Sequence, residues 1–180
     1  PYTTAGRFEK IHDRRVVYTA ISKTFNMAGL GSSCMMIPNP ELKQKISDSY
    51  DACWMFGPCD LAFTAMEAAY THGDAWVDQQ LAYLEGNVET VNSFVAEHMP
   101  GVQVTKHEGT FLMWLDMTCF GKSSQELTSI LAKEYGLALG DGSHYGTQAD
   151  GFMRLNIGCT RDTLIKGLEQ MAMMYDKYVK

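Results

Sequence analysis

The sequence predicts a protein of mixed helix and strand, in which a charge-poor α/β segment precedes a compact α+β segment. Three observations support this prediction. Residues 16–40 contain apolar, β-branched runs with a single charged side chain, which is typical of buried strands. Residues 74–99 keep one helical face apolar over about six turns. After Gly101 the pattern changes to short strands and helices in the order ββαββα, which is typical of a compact α+β unit.

Two short strands are predicted before residue 40. Residues 16–20 form a β-branched and aromatic run, residues 32–37 form a second apolar run, and a connection rich in Ser, Asn and Gly joins them. Since the first predicted strand ends at residue 20, Lys23 is expected just beyond its end. It is the single charged residue of this region.

Three helices are predicted next. Asn39-Pro40 supplies an N-cap and a first-turn proline for a polar helix that continues to about Tyr50. A second helix follows Gly57-Pro58 and ends at Gly73, and the long third helix begins immediately afterwards. The apolar positions expected to be buried in these two helices are Leu61, Ala65, Ala68, Ala69, Trp76, Val77, Leu81, Leu84, Val88, Val91 and Val95.

The α+β segment is predicted to contain four strands and two helices. The strands are expected at residues 102–106, 110–116, 137–139 and 152–157. Ser123 and Glu126 match a capping box, which predicts a helix that continues to Tyr135. Thr160 is expected to cap a final helix. The residues that this helix is expected to bury are Leu164, Leu168, Met171 and Met174.

The composition limits the classes of function. With 15 basic and 21 acidic residues the net charge is −6, which disfavours a nucleic-acid partner held by a basic surface. No run of about 18 apolar residues occurs, so no membrane span is expected. The five cysteines lack CxxC spacing, which indicates neither a disulfide framework nor a zinc ribbon and favours a reducing cytoplasm. The histidines lack ligand spacing, so no metal site is expected.

Lys23 is the first candidate for chemistry. An ammonium group among apolar strand-end residues is expected to be partly uncharged at neutral pH, and a neutral amine is a nucleophile. Such an amine can condense with an aldehyde, above all with that of pyridoxal phosphate (PLP), and later move a proton at the α-carbon of a substrate. The alternative is a lysine that extends its amine into solvent from a strand end.

Arg154 is the second candidate. It is the single charged residue between Gly151 and Thr160, within the strand-like run FMRLNI. A guanidinium group in such a strand requires an anion, and its planar fork binds a carboxylate through two hydrogen bonds, which suits an amino-acid substrate. The alternative is an internal salt bridge to an Asp or Glu.

Three segments carry a family resemblance: SKTFNMAGL at residues 22–30, GTFLMWLD at residues 109–116 and GFMRLNIGCTR at residues 151–161. In this order they resemble the lysine motif, the central small-domain strand and the substrate-carboxylate arginine segment of the PLP-dependent class I/II aminotransferase family. They are most similar to its MalY/PatB-type cystathionine β-lyase branch. Residues 67–87 also resemble the interdomain helix region of that branch, so the resemblance covers essentially the whole chain.

The resemblance implies the C-terminal part of a PLP fold-type I enzyme. Residues 1–74 would close the large α/β domain, and residues 75–180 would form the interdomain helix and the small domain. By the same resemblance Lys23 forms the Schiff base with PLP and shuttles the proton. Ser22 contacts the cofactor phosphate, and Arg154 holds the α-carboxylate of a small amino-acid substrate.

The implied reaction is a C–S β-elimination that converts cystathionine-type or cysteine-type amino acids to a thiol, pyruvate and ammonia. A PLP-dependent aminotransferase is the first alternative, and a non-catalytic fragment that only binds is the second. The family resemblance also implies a homodimer, in which the Phe56-Gly57-Pro58 turn would contribute to the partner's site.

Two departures from the family pattern qualify this interpretation. Many relatives place Ser three residues before the lysine and Arg eight residues after it, where this chain has Ala20 and Gly31. The lyase-like branch also tends to lack that Arg, which favours a lyase.

The family's phosphate-binding glycine turn, ring-stacking aromatic residue and ring-nitrogen Asp lie upstream of the lysine strand and are not in this sequence. We therefore expect the chain to be the C-terminal half of a longer enzyme and to be inactive alone.

Overall fold

The computed structural model of the protein describes residues 3–55 and 57–180. These residues form two compact units, of which the first ends at Asp78 and the second comprises Gln79–Lys180. The expected assignment of residues 1–74 to a large domain and of residues 75–180 to a small domain stays a prediction.

The first unit contains a two-stranded antiparallel sheet. Strand β1 (Val17–Thr19) pairs with β2 (Cys34–Met36), so that Val17 lies opposite Met36. Both strands lie inside the predicted apolar runs. Their composition is that of buried strands, but in this chain Tyr18 is 63% exposed and Met36 is 50% exposed. Within the described residues these two strands pair only with each other. The exposure is the one expected for strands that lack their neighbours in a larger sheet.

Helices supply the buried part of the first unit. They are α1 (Ile21–Thr24), α2 (Pro40–Ala52), α3 (Asp60–His72) and the N-terminal end of α4 (Asp74–His98). The predicted cap of α2 is confirmed, because Asn39 Oδ1 accepts the backbone N–H groups of Glu41 and Leu42 at 2.9 and 3.1 Å.

The buried face of α3 differs from the predicted one. Ala62, Met66 and Ala69 are buried at helical spacing, whereas Leu61 is 66% exposed. The sequence pattern alone could not identify this face, because α3 is apolar on most of its circumference. Phe56, which belongs to the predicted turn before this helix, lies outside the described residues.

The second unit packs helices on one face of a four-stranded antiparallel sheet. The strands are β3 (Gln103–Val104), β4 (Leu112–Asp116), β5 (Gly140–Asp141) and β6 (Phe152–Asn156), in the spatial order β3-β4-β6-β5. Its core joins residues of α4, of the sheet, of α5 (Ser124–Tyr135) and of α6 (Arg161–Tyr178). The side chains that α6 was expected to bury, Leu164, Leu168, Met171 and Met174, are all buried.

The predicted capping box of α5 is confirmed, and the predicted strand after α5 is displaced. Ser123 accepts from the Glu126 backbone N–H, and Glu126 in turn accepts from the Ser123 backbone N–H at 2.9 Å. The strand expected at residues 137–139 begins instead at Gly140, where the chain first pairs with β6. The apolar residues before it, Leu137 and Leu139, pack against the core without forming a strand.

None of the described helices is both long enough and apolar enough to cross a membrane.

Candidate active site

Lys23 lies on α1, the single helical turn that follows β1. The neighbouring residue Ile21 is fully buried and Phe25 is only 9% exposed, so these two side chains anchor the turn. Lys23 itself is exposed and Ser22 is half-buried. The prediction that Lys23 follows a strand end is therefore confirmed, and the expectation about the surroundings of its amine stays a prediction.

Phe25 fixes α1 by packing between aromatic side chains. Its ring centroid lies 5.9 Å from that of Tyr70 in an edge-on arrangement and 6.2 Å from that of Trp76 in a stacked one. Gly73 makes this packing possible, because a Cβ atom at that position would overlap the Phe25 ring. The lysine turn is thereby attached to the junction between α3 and α4.

The residues around Lys23 fit the aldehyde end of PLP better than they fit its phosphate. Lys23 is exposed on an anchored turn, and the adjacent Ser22 hydroxyl could donate to a phosphate oxygen. Neither Ala20 nor Gly31 has a side chain that could do so. Any further phosphate contact would have to come from other residues.

Arg154 lies in β6, in the second unit. Along this strand Met153 and Leu155 face the core, so Arg154 projects from the opposite face of the sheet. Its neighbours across the sheet are Trp114 in β4 and Gly140 in β5. A Cβ atom at Gly140 would come within 3.2 Å of Arg154 Nε, so the glycine leaves room for the arginine side chain to lie across β5.

No carboxylate neutralises Arg154 in the part of the chain that the structure describes. The five ion pairs found there involve other residues. The nearby Asp141 carboxylate is engaged by its own loop, since Oδ1 accepts the Ser143 hydroxyl at 2.7 Å and the Ser143 backbone N–H at 2.8 Å. These hydrogen bonds, that of the hydroxyl above all, hold the pKa of Asp141 below its usual value. The internal salt bridge that sequence reasoning left open for Arg154 is therefore not formed among the described residues.

Aromatic side chains surround the exposed face beside Arg154. The guanidinium carbon lies 5.1 Å from the centroid of the Tyr145 ring. Trp114 meets Tyr145 edge-on at 5.4 Å and stacks on Phe152 at 5.9 Å. These three aromatic residues line a depression of about 380 Å³ together with residues 146–149.

Sequence reasoning did not identify these aromatic residues as part of the site. The alternation of β4 and β6 could have placed Trp114 and Phe152 on the Arg154 face, because each shares the period of two with it. No pattern could have placed Tyr145, which belongs to an irregular loop.

Lys23 and Ser22 are adjacent in the first unit, and Arg154 belongs to the second. Within the described residues no group of three or more His, Cys, Asp or Glu side chains is arranged to hold a metal ion.

Comparison with known proteins finds extensive similarity over part of longer chains. The chain is 38% identical over 159 residues to cystathionine beta-lyase PatB of Bacillus subtilis (strain 168), covering 88% of this chain and 41% of PatB. It is 30% identical over 151 residues to protein MalY of Escherichia coli (strain K12), covering 83% of this chain and 39% of MalY. The chain thus spans about two-fifths of the length of these curated relatives. No protein-family model matches it.

Among solved structures, the chain is similar to cystalysin from Treponema denticola, whose crystal structure contains a pyridoxal 5'-phosphate cofactor. The TM-score is 0.88 at 26% sequence identity, and the match covers 96% of this chain and 44% of cystalysin.

Proposed function

Since the chain is homologous to the MalY/PatB-type cystathionine β-lyases of the PLP-dependent class I/II aminotransferase family, we propose that it is the C-terminal portion of a PLP-dependent C–S β-lyase. The predicted fold class, part of a PLP fold-type I enzyme, is confirmed by the similarity to cystalysin. The cofactor is PLP, and the substrates are cystathionine-type or cysteine-type amino acids that yield a thiol, pyruvate and ammonia.

Lys23 and Ser22 are the cofactor-binding residues of this proposal. PLP supplies, when bound, an aldehyde and a conjugated ring that withdraws electrons from the α-carbon of the substrate. Lys23 would supply the amine that holds the aldehyde carbon, and once the substrate amine has displaced it the released amine would accept the proton from the α-carbon. The Ser22 hydroxyl donates a hydrogen bond to the phosphate.

Arg154 is the substrate-binding residue. Its guanidinium binds the two oxygens of the α-carboxylate and thereby orients the α-carbon for loss of its proton. The observation that carries the proposal is that this half-buried arginine makes no ion pair among the described residues. An unpaired guanidinium on a sheet face is costly to bury, and an external carboxylate removes that cost.

The activity belongs to the whole enzyme rather than to this chain alone. The chain spans about two-fifths of the length of its curated relatives, and by the family resemblance the groups that stack on the ring, pair with the ring nitrogen and complete the phosphate contacts would come from the remainder of the enzyme. We further propose that the enzyme is a cytoplasmic homodimer, as the family resemblance implies.

The test is an assay of pyruvate formation from L-cystathionine by the full-length protein that contains this chain, loaded with PLP and given no keto acid. We expect pyruvate from the wild type and a loss of at least about a thousandfold in Lys23→Arg, which keeps the charge but removes the nucleophilic amine. Lys43→Arg, on the exposed side of α2, is the matched control and should retain full activity. A strict requirement for a keto-acid acceptor would instead identify an aminotransferase, and cofactor binding without either reaction would identify a non-catalytic protein.

A further inference from the structure

Tyr145 contacts the group proposed to bind the substrate carboxylate. Its side chain is 54% exposed, yet its ring lies over the Arg154 guanidinium with 5.1 Å between the guanidinium carbon and the ring centroid. A large aromatic side chain left this exposed on a loop has no role in the core. Its contact with a cation is electrostatically favourable, because the negative face of the ring attracts the guanidinium.

The loop that carries Tyr145 is defined by a capped turn and by two glycines. It begins as a 3-10 turn, Gly142–Tyr145, which is capped by the Asp141 side chain. Gly142 packs so closely that a Cβ atom there would overlap the carbonyl oxygens of Ala149 and Phe152. Gly146 then adopts φ 129° and ψ 157°, a conformation that is essentially restricted to glycine. Glycine is thus required at the first residue of the turn, for close packing, and directly after the turn, for its backbone conformation.

A buried serine attaches the other end of this loop to α5. Ser124 is fully buried, and its hydroxyl oxygen accepts the Gly151 backbone N–H at 2.7 Å. The Ser124 backbone N–H in turn donates to Asp150 Oδ1 at 2.7 Å. Because Gly151 immediately precedes β6, these hydrogen bonds attach the end of the loop and the start of the Arg154 strand to the first residue of α5.

Trp114 completes the arrangement from the neighbouring strand. It lies opposite Arg154 in the sheet and meets the Tyr145 ring edge-on at 5.4 Å. The Tyr145 ring thus contacts Trp114 on one side and the guanidinium on another, which limits its rotation.

We propose that Tyr145 is a positioning residue for Arg154: its ring covers one face of the guanidinium, restricts its rotamers, and leaves the N–H edge directed to a substrate carboxylate. This inference rests on the proposed function for the identity of the ligand. The ring face, rather than the hydroxyl group, performs the task. Phenylalanine at this position should therefore substitute for tyrosine, and an aliphatic side chain should not.

The first test measures the chemical accessibility of Arg154 and needs no catalytic activity. The full-length protein is treated with phenylglyoxal, and modification of Arg154 is quantified by peptide mass spectrometry relative to the exposed Arg14 as an internal standard. We expect Tyr145→Leu to raise the relative rate about two- to fivefold, because the guanidinium loses its cover. Tyr145→Phe should leave the rate unchanged. Tyr50→Leu, at another partly exposed tyrosine on α2, is the control for the loss of a surface ring.

The second test measures substrate binding in the PLP-loaded enzyme. For L-cystathionine we expect Tyr145→Leu to raise KM about three- to tenfold with kcat nearly unchanged, and Tyr145→Phe to behave as wild type. In an Arg154→Lys background Tyr145→Leu should add little, because the residue acts through the arginine.

Equal rates of Arg154 modification in wild type and Tyr145→Leu would overturn the inference, as would a Tyr145→Phe variant as impaired as Tyr145→Leu. If the wild type forms no pyruvate, the proposed function fails, whereas the modification rates still decide the role of Tyr145. Thermal unfolding of each variant separates loss of folding from loss of positioning.

Discussion

At the scale of single residues, Arg154 connects the sheet to the proposed chemistry. It shares a sheet face with Trp114 and Phe152, and within the described residues it contacts an aromatic ring instead of a carboxylate. A guanidinium in this setting is less hydrated than one at an open surface. It can therefore bind a carboxylate at a lower cost of desolvation.

Replacing Arg154 by lysine tests this role. Lysine keeps the charge but cannot form the two parallel hydrogen bonds of the planar fork. We expect Arg154→Lys to raise KM for L-cystathionine about ten- to a hundredfold while kcat falls much less. Arg14→Lys, at an exposed site of the first unit, should change neither constant. Steady-state kinetics of pyruvate release measure both, and an unchanged KM in Arg154→Lys would contradict the assignment.

Lys23 and Arg154 stand out in the sequence because each is a single charge in an apolar run. That pattern left ordinary structural alternatives open for both, and the family resemblance supplied their expected roles. The sequence did not predict that Tyr145 lies beside Arg154, because its position depends on two glycine conformations and on the buried Ser124 hydroxyl. Loop geometry of this kind is set by tertiary contacts and leaves no period in the sequence.

At the scale of secondary-structure elements, Asn87 joins α4 to the turn between β6 and α6. Its amide nitrogen donates to the carbonyl oxygen of Ile157 at 2.7 Å, and its amide oxygen accepts from Arg161 Nε at 2.6 Å. Arg161 also donates to Thr90 Oγ1 at 2.7 Å. Asn87 is fully buried, so the position of β6, the strand that carries Arg154, relative to α4 depends on this hydrogen-bond network.

Removing that amide should destabilise the second unit. We expect Asn87→Ala to lower the free energy of unfolding by about 2 to 3 kcal/mol, because a buried carbonyl and Arg161 both lose a partner. Asn92→Ala, on the exposed side of the same helix, should cost less than about 0.5 kcal/mol. Urea denaturation monitored by circular dichroism gives both values, and equal stabilities of the two variants would show that the network contributes nothing.

The contact between α5 and α6 predicts a dependence of stability on pH. Hydrogen bonds from Lys177 and, second, from Tyr178 hold the pKa of Glu134 below its usual value. A carboxylate with a lowered pKa in the folded state stabilises above its unfolded pKa of about 4.5, and that contribution is lost as the pH falls through the lower folded value.

The difference in melting temperature between wild type and Glu134→Gln should therefore be constant near neutral pH and shrink below about pH 4.5. The effect should be small, because Glu134 and Lys177 are both exposed. Glu169→Gln, at an exposed position of α6, should show no such trend. Calorimetry at a series of pH values provides the measurement, and a difference that grows on acidification would contradict the sign.

The sequence correctly predicted the ends of those helices that are capped by side chains close in sequence. The cap of α2 and the capping box of α5 are formed by adjacent side chains, so they need no tertiary information. The strand expected at residues 137–139 was misplaced, because pairing with β6 and not hydrophobicity decides where β5 begins. The exposure of Leu61 on α3 likewise depends on which other elements pack against that helix, and the sequence of α3 does not specify them.

At the scale of the whole molecule, the first unit exposes apolar side chains that a stable monomer would cover. The strongly exposed ones are Tyr18, Met36, Trp54, Met55, Leu61 and Phe63. The β1 and β2 strands also leave backbone groups unpaired at their outer edges within the described residues. Exposed apolar area and open strand edges both favour association with other chains.

The 180-residue chain expressed alone should therefore aggregate or form oligomers. We expect light scattering at micromolar concentration to detect species larger than a monomer, with strong binding of a hydrophobic dye. Phe63→Glu, which adds a charge to an exposed site of α3, should reduce both signals, whereas Thr64→Glu next to it should have less effect because it removes no aromatic surface. A monomer that melts cooperatively and binds no dye would contradict this expectation.

The proposed function depends above all on the attachment of PLP to the Lys23 amine. Borohydride reduction of the full-length protein after incubation with PLP, followed by mass-spectrometric mapping of the stable pyridoxyl group, tests this attachment. We expect near-stoichiometric labelling of Lys23 and no comparable label elsewhere. Labels scattered over exposed lysines, with Lys23 unmodified, would contradict it.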